Sequence, residues 1–422
     1  DLKLANELVE RAGRLWPVRA ETLPAISEWQ ADLADLRRRE PAHARRRDEL
    51  AHAGDDRTAV WEREQLAVLF TVLQRLATLA ADVDGRRQRA ETLRARSCED
   101  PRWAAAVARI AANPHYGGLR VTPQLGLVPL GPDPVSGFEE FAHLESGEPA
   151  VRSGDGRLVL TEATGVVVVL VPGGHAVLGV ENAPHADHTP ANVDAAAPQG
   201  QQPCYAVDLA PYFLSRYEMT QAQWQRHTGS NPATFRPGGG LAVIRTTLHP
   251  VELVDWESCD RVLRELDLVL PSEAQWEFAY RAGTATIYPF GDDPHGLVGR
   301  ENLADVTARD QGVNRRLRFV DWLDDGFLQH APIGSFAPNA FGFHDMGGNV
   351  KEWCNDSWEN YADAAPRADD GLRRGAYDEY RVLRGGSFSS FLDEATAAYR
   401  FGAQRVASGG ELGLRPARAL DR

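Results

Sequence analysis

Two glycine pairs limit this chain's backbone more than any other feature. Gly347-Gly348 lies inside His344-Asp345-Met346-Gly347-Gly348-Asn349-Val350-Lys351-Glu352-Trp353, and Gly385-Gly386 lies inside Arg384-Gly385-Gly386-Ser387. Lacking a Cβ, paired glycines admit positive φ and let one backbone approach another closely, so consecutive carbonyls can be aimed at one point. Asp345, Asn349 and Glu352 add side-chain oxygens beside the first pair. Carboxylate, amide and carbonyl oxygens together are the donors a hard cation such as calcium selects. The competing expectation is an ordinary turn, which uses Gly-Gly-Asn for the same conformational freedom.

The wording around these pairs is much longer than a turn needs. Met346 to Trp353, then Arg381-Val382-Leu383-Arg384-Gly385-Gly386-Ser387, then Gly413-Leu414-Arg415-Pro416-Ala417-Arg418, resembles the formylglycine-generating enzyme or sulfatase-modifying factor family. Val171-Pro172-Gly173-Gly174, Tyr217-Glu218-Met219-Thr220, His249-Pro250-Val251 and Leu270 to Ala279 fall in that family's order, so the resemblance covers roughly 165 to 418. It implies an α+β, C-type-lectin-like fold of the formylglycine-generating-enzyme type, with a small twisted antiparallel sheet, flanking helices and long irregular loops. It also implies structural calcium. A first site would use Asn302, Leu303 (carbonyl), Asp325 and Phe327 (carbonyl), and a second Asp345 with the carbonyls of Met346, Gly348 and Val350. Turns held by hydrogen bonds alone are the alternative.

The chemistry of the family is not implied. Its enzymes bind copper through two cysteines separated by four residues after the Arg-Gly-Gly-Ser turn, and soft Cu(I) requires thiolates. Ala397 and Gly402 stand at the matching positions here, and the nearest cysteine, Cys354, belongs to another motif. The related sulfoxide synthases hold iron with three histidines, but His43, His52 and His115 lack the His-x-x-x-His spacing that sets two imidazoles on one helical face. No copper, no iron and no catalytic residue are therefore expected. The same fold displays the diversified surface of variable proteins from diversity-generating retroelements, between a Gly-Gly-Ser turn and a closing Gly-Leu-Arg. In this chain that window holds Phe388, Ser389, Ser390, Phe391 and Leu392, then Phe401, Gly402 and Ala403, then Val406, Ala407 and Ser408. Aromatics among Ser, Ala and Gly suit an adaptable recognition surface, and they equally suit a partly buried loop. The expected function is a non-catalytic module recognising a protein or other macromolecular ligand. The alternatives are an oxidoreductase with altered metal ligands and the sensor half of a bacterial serine/threonine kinase signalling protein.

Charge separates the chain into two parts. Residues 1–115 carry 20 Lys+Arg and 19 Asp+Glu, or +1; of the chain's 46 and 60 this leaves 26 minus 41, or −15, for the rest. The acidic part is the family-like part, which argues against nucleic acid, because phosphate binding needs a basic face. The Arg37-Arg38-Arg39 and Arg45-Arg46-Arg47 runs sit beside Glu40, Asp48 and Glu49 and are expected to form a solvated helix face. Apolar runs stay strand-sized, the longest being Val166 to Pro172, so no membrane span is expected. Cys98, Cys204, Cys259 and Cys354 lack Cys-x-x-Cys spacing, which points to a reducing cytoplasm. The chain starts at Asp1 without methionine, the expectation for a fragment or processed form.

Three domains are expected: helical from 1 to 114, a β-rich bridge from 115 to 164, and the family-like domain from 165 to 422. Trp29, Leu33 and Leu36, then Trp61, Leu66, Leu69, Val72, Leu73, Leu76 and Leu79, recur at helical spacing, with the second helix reaching Ser97. Asp100-Pro101 starts a short further helix through Ile110. Ser153-Gly154-Asp155-Gly156 predicts a hairpin and Val166 to Val171 a buried strand. Glu181 to Pro203 reads as a surface loop, with His185 and His188 at a spacing that could ligate metal. Thr220 with Gln223, Asp255, and Ser272 with Gln275 announce three helices, whose Trp224, Trp256 and Trp276 anchor the core.

Overall fold

A computed structural model describes the chain except for residues 53, 55, 184–191, 240–245, 312–317, 376–377 and 422. The chain divides into two compact units, Asp1–Arg96 and Ser97–Arg422.

The first unit is helical. It contains α1 (Leu2–Ala12), α2 (Leu23–Ala51) and most of α3 (Arg57–Ser97). Leu8 and Ala12 of α1, Trp29, Leu33 and Leu36 of α2, and Leu66, Leu69, Leu73, Leu76 and Val83 of α3 form one core. The 3–4 spacing on α3 keeps each of these on one face over more than four turns. Trp29 fixes α2 against α1, its indole N–H donating to the Leu8 carbonyl at 2.8 Å. By length and composition alone, α3 is also long and apolar enough to cross a membrane.

The second unit begins earlier than the sequence suggested. Helix α4 (Arg102–Ala112) belongs to it, because Trp103, Ala106 and Ile110 enter its main core and Trp103 stacks on Phe141 at 5.2 Å. The stretch 115–164 is likewise no separate bridge. Its strands β1 (Leu127–Pro132) and β2 (Glu139–His143) extend the central sheet, while β3 (Val151–Arg152) and β4 (Leu158–Val159) form the expected hairpin. β5 (Val167–Val171) is buried on both faces and pairs with β2 and with β8 (Tyr212–Ser215). Between them in the chain, β6 (Gly174–Leu178) and β7 (Tyr205–Leu209) form a separate hairpin.

Helices α5 (Gln221–Thr228), α6 (Trp256–Glu265) and α7 (Glu273–Arg281) follow. The expected caps are present: Thr220 and Ser272 form capping boxes with Gln223 and Gln275, and Asp255 accepts from Ser258 N at 2.7 Å. Trp224, Trp256 and Trp276 are all in the core. Among the described residues, the irregular stretch that follows holds a 3-10 turn (Pro294–Leu297) and the short α8 (Val306–Asp310) before β9 (Lys351–Ser357). A second sheet has the order β11-β10-β9-β12, built from β9, β10 (Tyr380–Arg384), β11 (Arg400–Gln404) and β12 (Leu412–Gly413). The closing β13 (Ala417–Ala419) returns to β8 and completes the five-stranded order β1-β2-β5-β8-β13.

Candidate functional site

The two glycine pairs meet at one seam. Asp345 and Asn349 adopt positive φ, 63° and 65°. A Cβ on Gly348 would strike the Asn302 backbone, and one on Gly385 the Met346 carbonyl. Only glycine permits this approach. Across it, Gly386 N donates to Gly347 O at 3.1 Å and Phe388 N to Asn349 O at 2.9 Å. The Asn349 side chain joins two further loops, donating to Glu218 at 2.7 Å and accepting from Ala331 N at 2.7 Å.

Beneath the seam lie four buried carboxylates, Glu218, Glu301, Asp345 and Glu352. One guanidinium, that of Arg415, contacts Glu352 at 2.7 Å, and Trp276 Nε1 donates to the same carboxylate at 2.7 Å. Burial, added to by neighbouring carboxylates, pushes Glu218 and Glu301 far above the usual carboxylate range and Asp345 up to about 7. Asp345 Oδ1, Glu301 Oε2 and Asn302 Oδ1 have no hydrogen-bond partner. Such orphaned acceptors, in excess of the local positive charge, fit a hard divalent cation. Among the described residues no group of three or more His, Cys, Asp or Glu side chains is arranged to hold a metal. An ion at the seam would therefore draw on amide and backbone oxygens as well, as the expected set of Asp345, Met346, Gly348 and Val350 would.

At the first expected calcium set both Asp325 oxygens accept amides, from Leu303 at 3.0 Å and Phe327 at 2.9 Å. Asp325 N in turn donates to Asp305 at 2.7 Å, and burial beside Asp305 pushes Asp325 up to about 7. Asn302 belongs to the seam, where Gly348 packs on its backbone.

A second charged block fixes the stretch that follows the Arg384 to Ser387 turn. Glu273 and Glu277, four apart on α7, point to one side of the helix. Arg384 reaches them both at 2.9 Å, and Arg400 pairs with Glu273 at 2.7 Å. Arg384 also donates to Ala397 O at 2.6 Å, and Arg400 lies over the Trp358 ring at 4.4 Å. β10 and β11 are thereby anchored to α7.

The window itself divides. Phe388 is buried, edge-on to Phe235 at 5.6 Å and His330 at 6.0 Å. Ser390 is buried beside Lys351, whose ammonium pairs with Glu394 at 2.9 Å, and Ser389 bonds Glu411. Phe391 and Leu392 are half-buried against the cluster of Tyr288, Leu297 and Leu303. By contrast Phe401 is 47% and Val406 60% exposed, with Tyr380 of the neighbouring strand at 41%. Ser408 is exposed, and Gly402, Ala403 and Ala407 are intermediate. The eleven residues do not form one open face. Ala397 is sealed in the core, and a Cβ on Gly402 would stand 2.5 Å from the Trp358 indole. Cys259 and Cys354 are buried with their thiols held protonated by desolvation. His185 and His188 lie outside the described residues.

Residues 160–420 match the sulfatase-modifying factor enzyme 1-like domain. The chain belongs to this family. It is 34% identical over 220 residues to the formylglycine-generating enzyme of Streptomyces coelicolor, a match covering 50% of this chain and 62% of that protein. It is 30% identical over 203 residues to the serine/threonine-protein kinase pkn1 of Chlamydia pneumoniae, covering 47% of this chain and 27% of the kinase. The chain thus spans less than two thirds of either relative. Among solved structures, the Treponema denticola variable protein 1 aligns with 21% identity and a TM-score of 0.45, over 62% of this chain and 98% of that one.

Sequence inspection assigned no role to three features that the family domain brings together. The His249 and His330 rings meet at 2.9 Å through their Nδ1 atoms behind Phe388. Lys351, Ser390 and Glu394 form a buried polar group, and Arg384 with Arg400 clamps α7. Their partners are distant in sequence, so the motifs containing His249, Glu273, Glu277, Lys351 and Arg384 signalled single members and not the groups.

Proposed function

We propose that this sulfatase-modifying-factor domain is a non-catalytic recognition module that presents the β11 edge and the following turn to a macromolecular ligand. The observation that carries the reading is the filled space where the redox pair would lie. No cysteine follows Cys354 in the chain, Ala397 is core, and Trp358 occupies the volume a side chain at Gly402 would need. What the same window leaves open is Phe401, on a strand clamped by Arg384 and Arg400, and Val406 in the turn after it. Rigid support beneath exposed apolar side chains lowers the entropy lost on binding.

The test compares the full chain with a Phe401→Glu, Val406→Glu double variant. Both should be equally folded, and a partner cross-linked to the unaltered chain in its own cell extract should be lost with the variant. Retained cross-linking, or oxidation of a cysteine peptide by the copper-loaded chain, would overturn the reading. Similarity to part of the pkn1 kinase favours a second reading, a sensor segment of a larger signalling protein. A kinase domain encoded in the same reading frame before Asp1 would establish it, and an unrelated frame would remove it.

A further inference from the structure

Helix α3 buries one apolar stripe in the core of its unit and leaves further apolar side chains exposed beside it. Ala59, Leu66, Leu69, Leu73, Leu76, Ala80 and Val83 are buried. Beside that stripe Trp61 is 61% and Val68 47% exposed, while Val72 and Leu79, half-buried, pack against the edge of the same core. Exposed Ala67, Thr71 and Thr78 sit between them, so this side is poor in charge over about four turns.

The charges it does carry are ordered. Arg57, Glu64, Arg75 and Asp82 are all exposed, fall within a narrow strip of this face, and alternate in sign. Their positions are symmetric about the point midway between Leu69 and Phe70. A two-fold antiparallel pairing through that point sets Glu64 against the partner's Arg75 and Arg57 against the partner's Asp82. The same operation places Val68 against the partner's Thr71, and Trp61 over the partner's Thr78 and Leu79. Asp82 also bonds Arg86 on its own helix, and its side chain stays 46% exposed.

We infer that α3 is a self-association surface and that a second copy of this chain covers it as an antiparallel helix pair. A parallel pair would bring Glu64 against Glu64 and Arg75 against Arg75, and like charges facing one another are destabilising. A bilayer is a poorer occupant, since Glu64 and Asp82 on the apolar strip would enter hydrocarbon. The isologous arrangement alone satisfies both the apolar and the charged residues, as two-fold interfaces require.

Sedimentation equilibrium on the full chain is the test. A reversible dimer is expected, and Val68→Glu should leave only monomer while helical circular dichroism is unchanged. Glu64→Arg and Arg75→Glu should each weaken the dimer about five- to tenfold, because two symmetry-related pairs change at once. Mixing the two single variants should give heterodimer, and the double variant Glu64→Arg, Arg75→Glu should recover wild-type association. A chain that stays monomeric, a dimer indifferent to Val68→Glu, or charge variants without rescue would each overturn the inference. So would binding of a monomeric chain to phosphatidylcholine–phosphatidylserine vesicles that Val68→Glu abolishes.

Discussion

The family domain buries charge both around α7 and beneath the glycine seam, and treats it differently in the two. Around α7, Glu273 and Glu277 face Arg384 and Arg400, and the stabilising pairs are complete within the polypeptide. Beneath the glycine seam, Glu218, Glu301, Asp345 and Glu352 face Arg415 with acceptors left over. Both sites exclude water, so both carry a large desolvation cost. The first offsets it with guanidinium groups. The second is the chemistry of a site completed by a cation from solution, and the sequence expectation of calcium at Asp345 is our proposal for it.

That contrast can be broken most sharply at Arg384. Arg384→Ala removes the guanidinium that bridges two buried carboxylates, leaving Glu273 to Arg400 and Glu277 to Arg281, and should cost about 3–5 kcal/mol in denaturant unfolding, whereas a loss below about 1 kcal/mol would show that the block is not closed by that residue. Calcium offers the converse experiment. Free calcium at about a hundredfold its Kd should stabilise the chain by about 2.7 kcal/mol, and chelator should lower Tm, while an Asp345→Ala variant should show no response to either. An equal response in that variant would place the ion elsewhere.

A third, smaller effect concerns pH behind the window. Burial pulls His249 down to about 4 and His330 to about 3, in each case below the usual imidazole value. A folded value below the unfolded one means stability is present above about pH 6.5 and is lost as pH falls toward 4. His330→Gln should therefore flatten the loss between pH 6.5 and 4 by about 1–3 kcal/mol relative to the unaltered chain. An unchanged slope in urea titrations at several pH values would remove the pair as the source. Smallest of all, Phe401→Ser should alter stability by no more than about 0.5 kcal/mol, since exposed substitutions away from special features seldom do more. A larger drop in Cm would mean that Phe401 belongs to the framework rather than to the open surface.

Local signals in the sequence were enough for much of this. Helix spacing, the Thr220, Asp255 and Ser272 caps, the Ser153 to Gly156 hairpin and the strand at Val167 are each set by neighbours a few residues away. The glycine pairs and the motifs beside them were sufficient for the family, because close backbone approach tolerates few residue types. What pattern could not supply was the allocation of 97–164 to the second unit, since Trp103 becomes core only when Phe141 arrives to stack on it. Nor could it separate Phe388 from Phe401. Both are phenylalanines near a glycine turn, yet Phe235 and His330 cover one and nothing among the described residues covers the other to the same degree. Composition and spacing determine which residues can turn, cap or alternate; burial and charge balance depend on which distant partners share their space, and that only the tertiary structure decided.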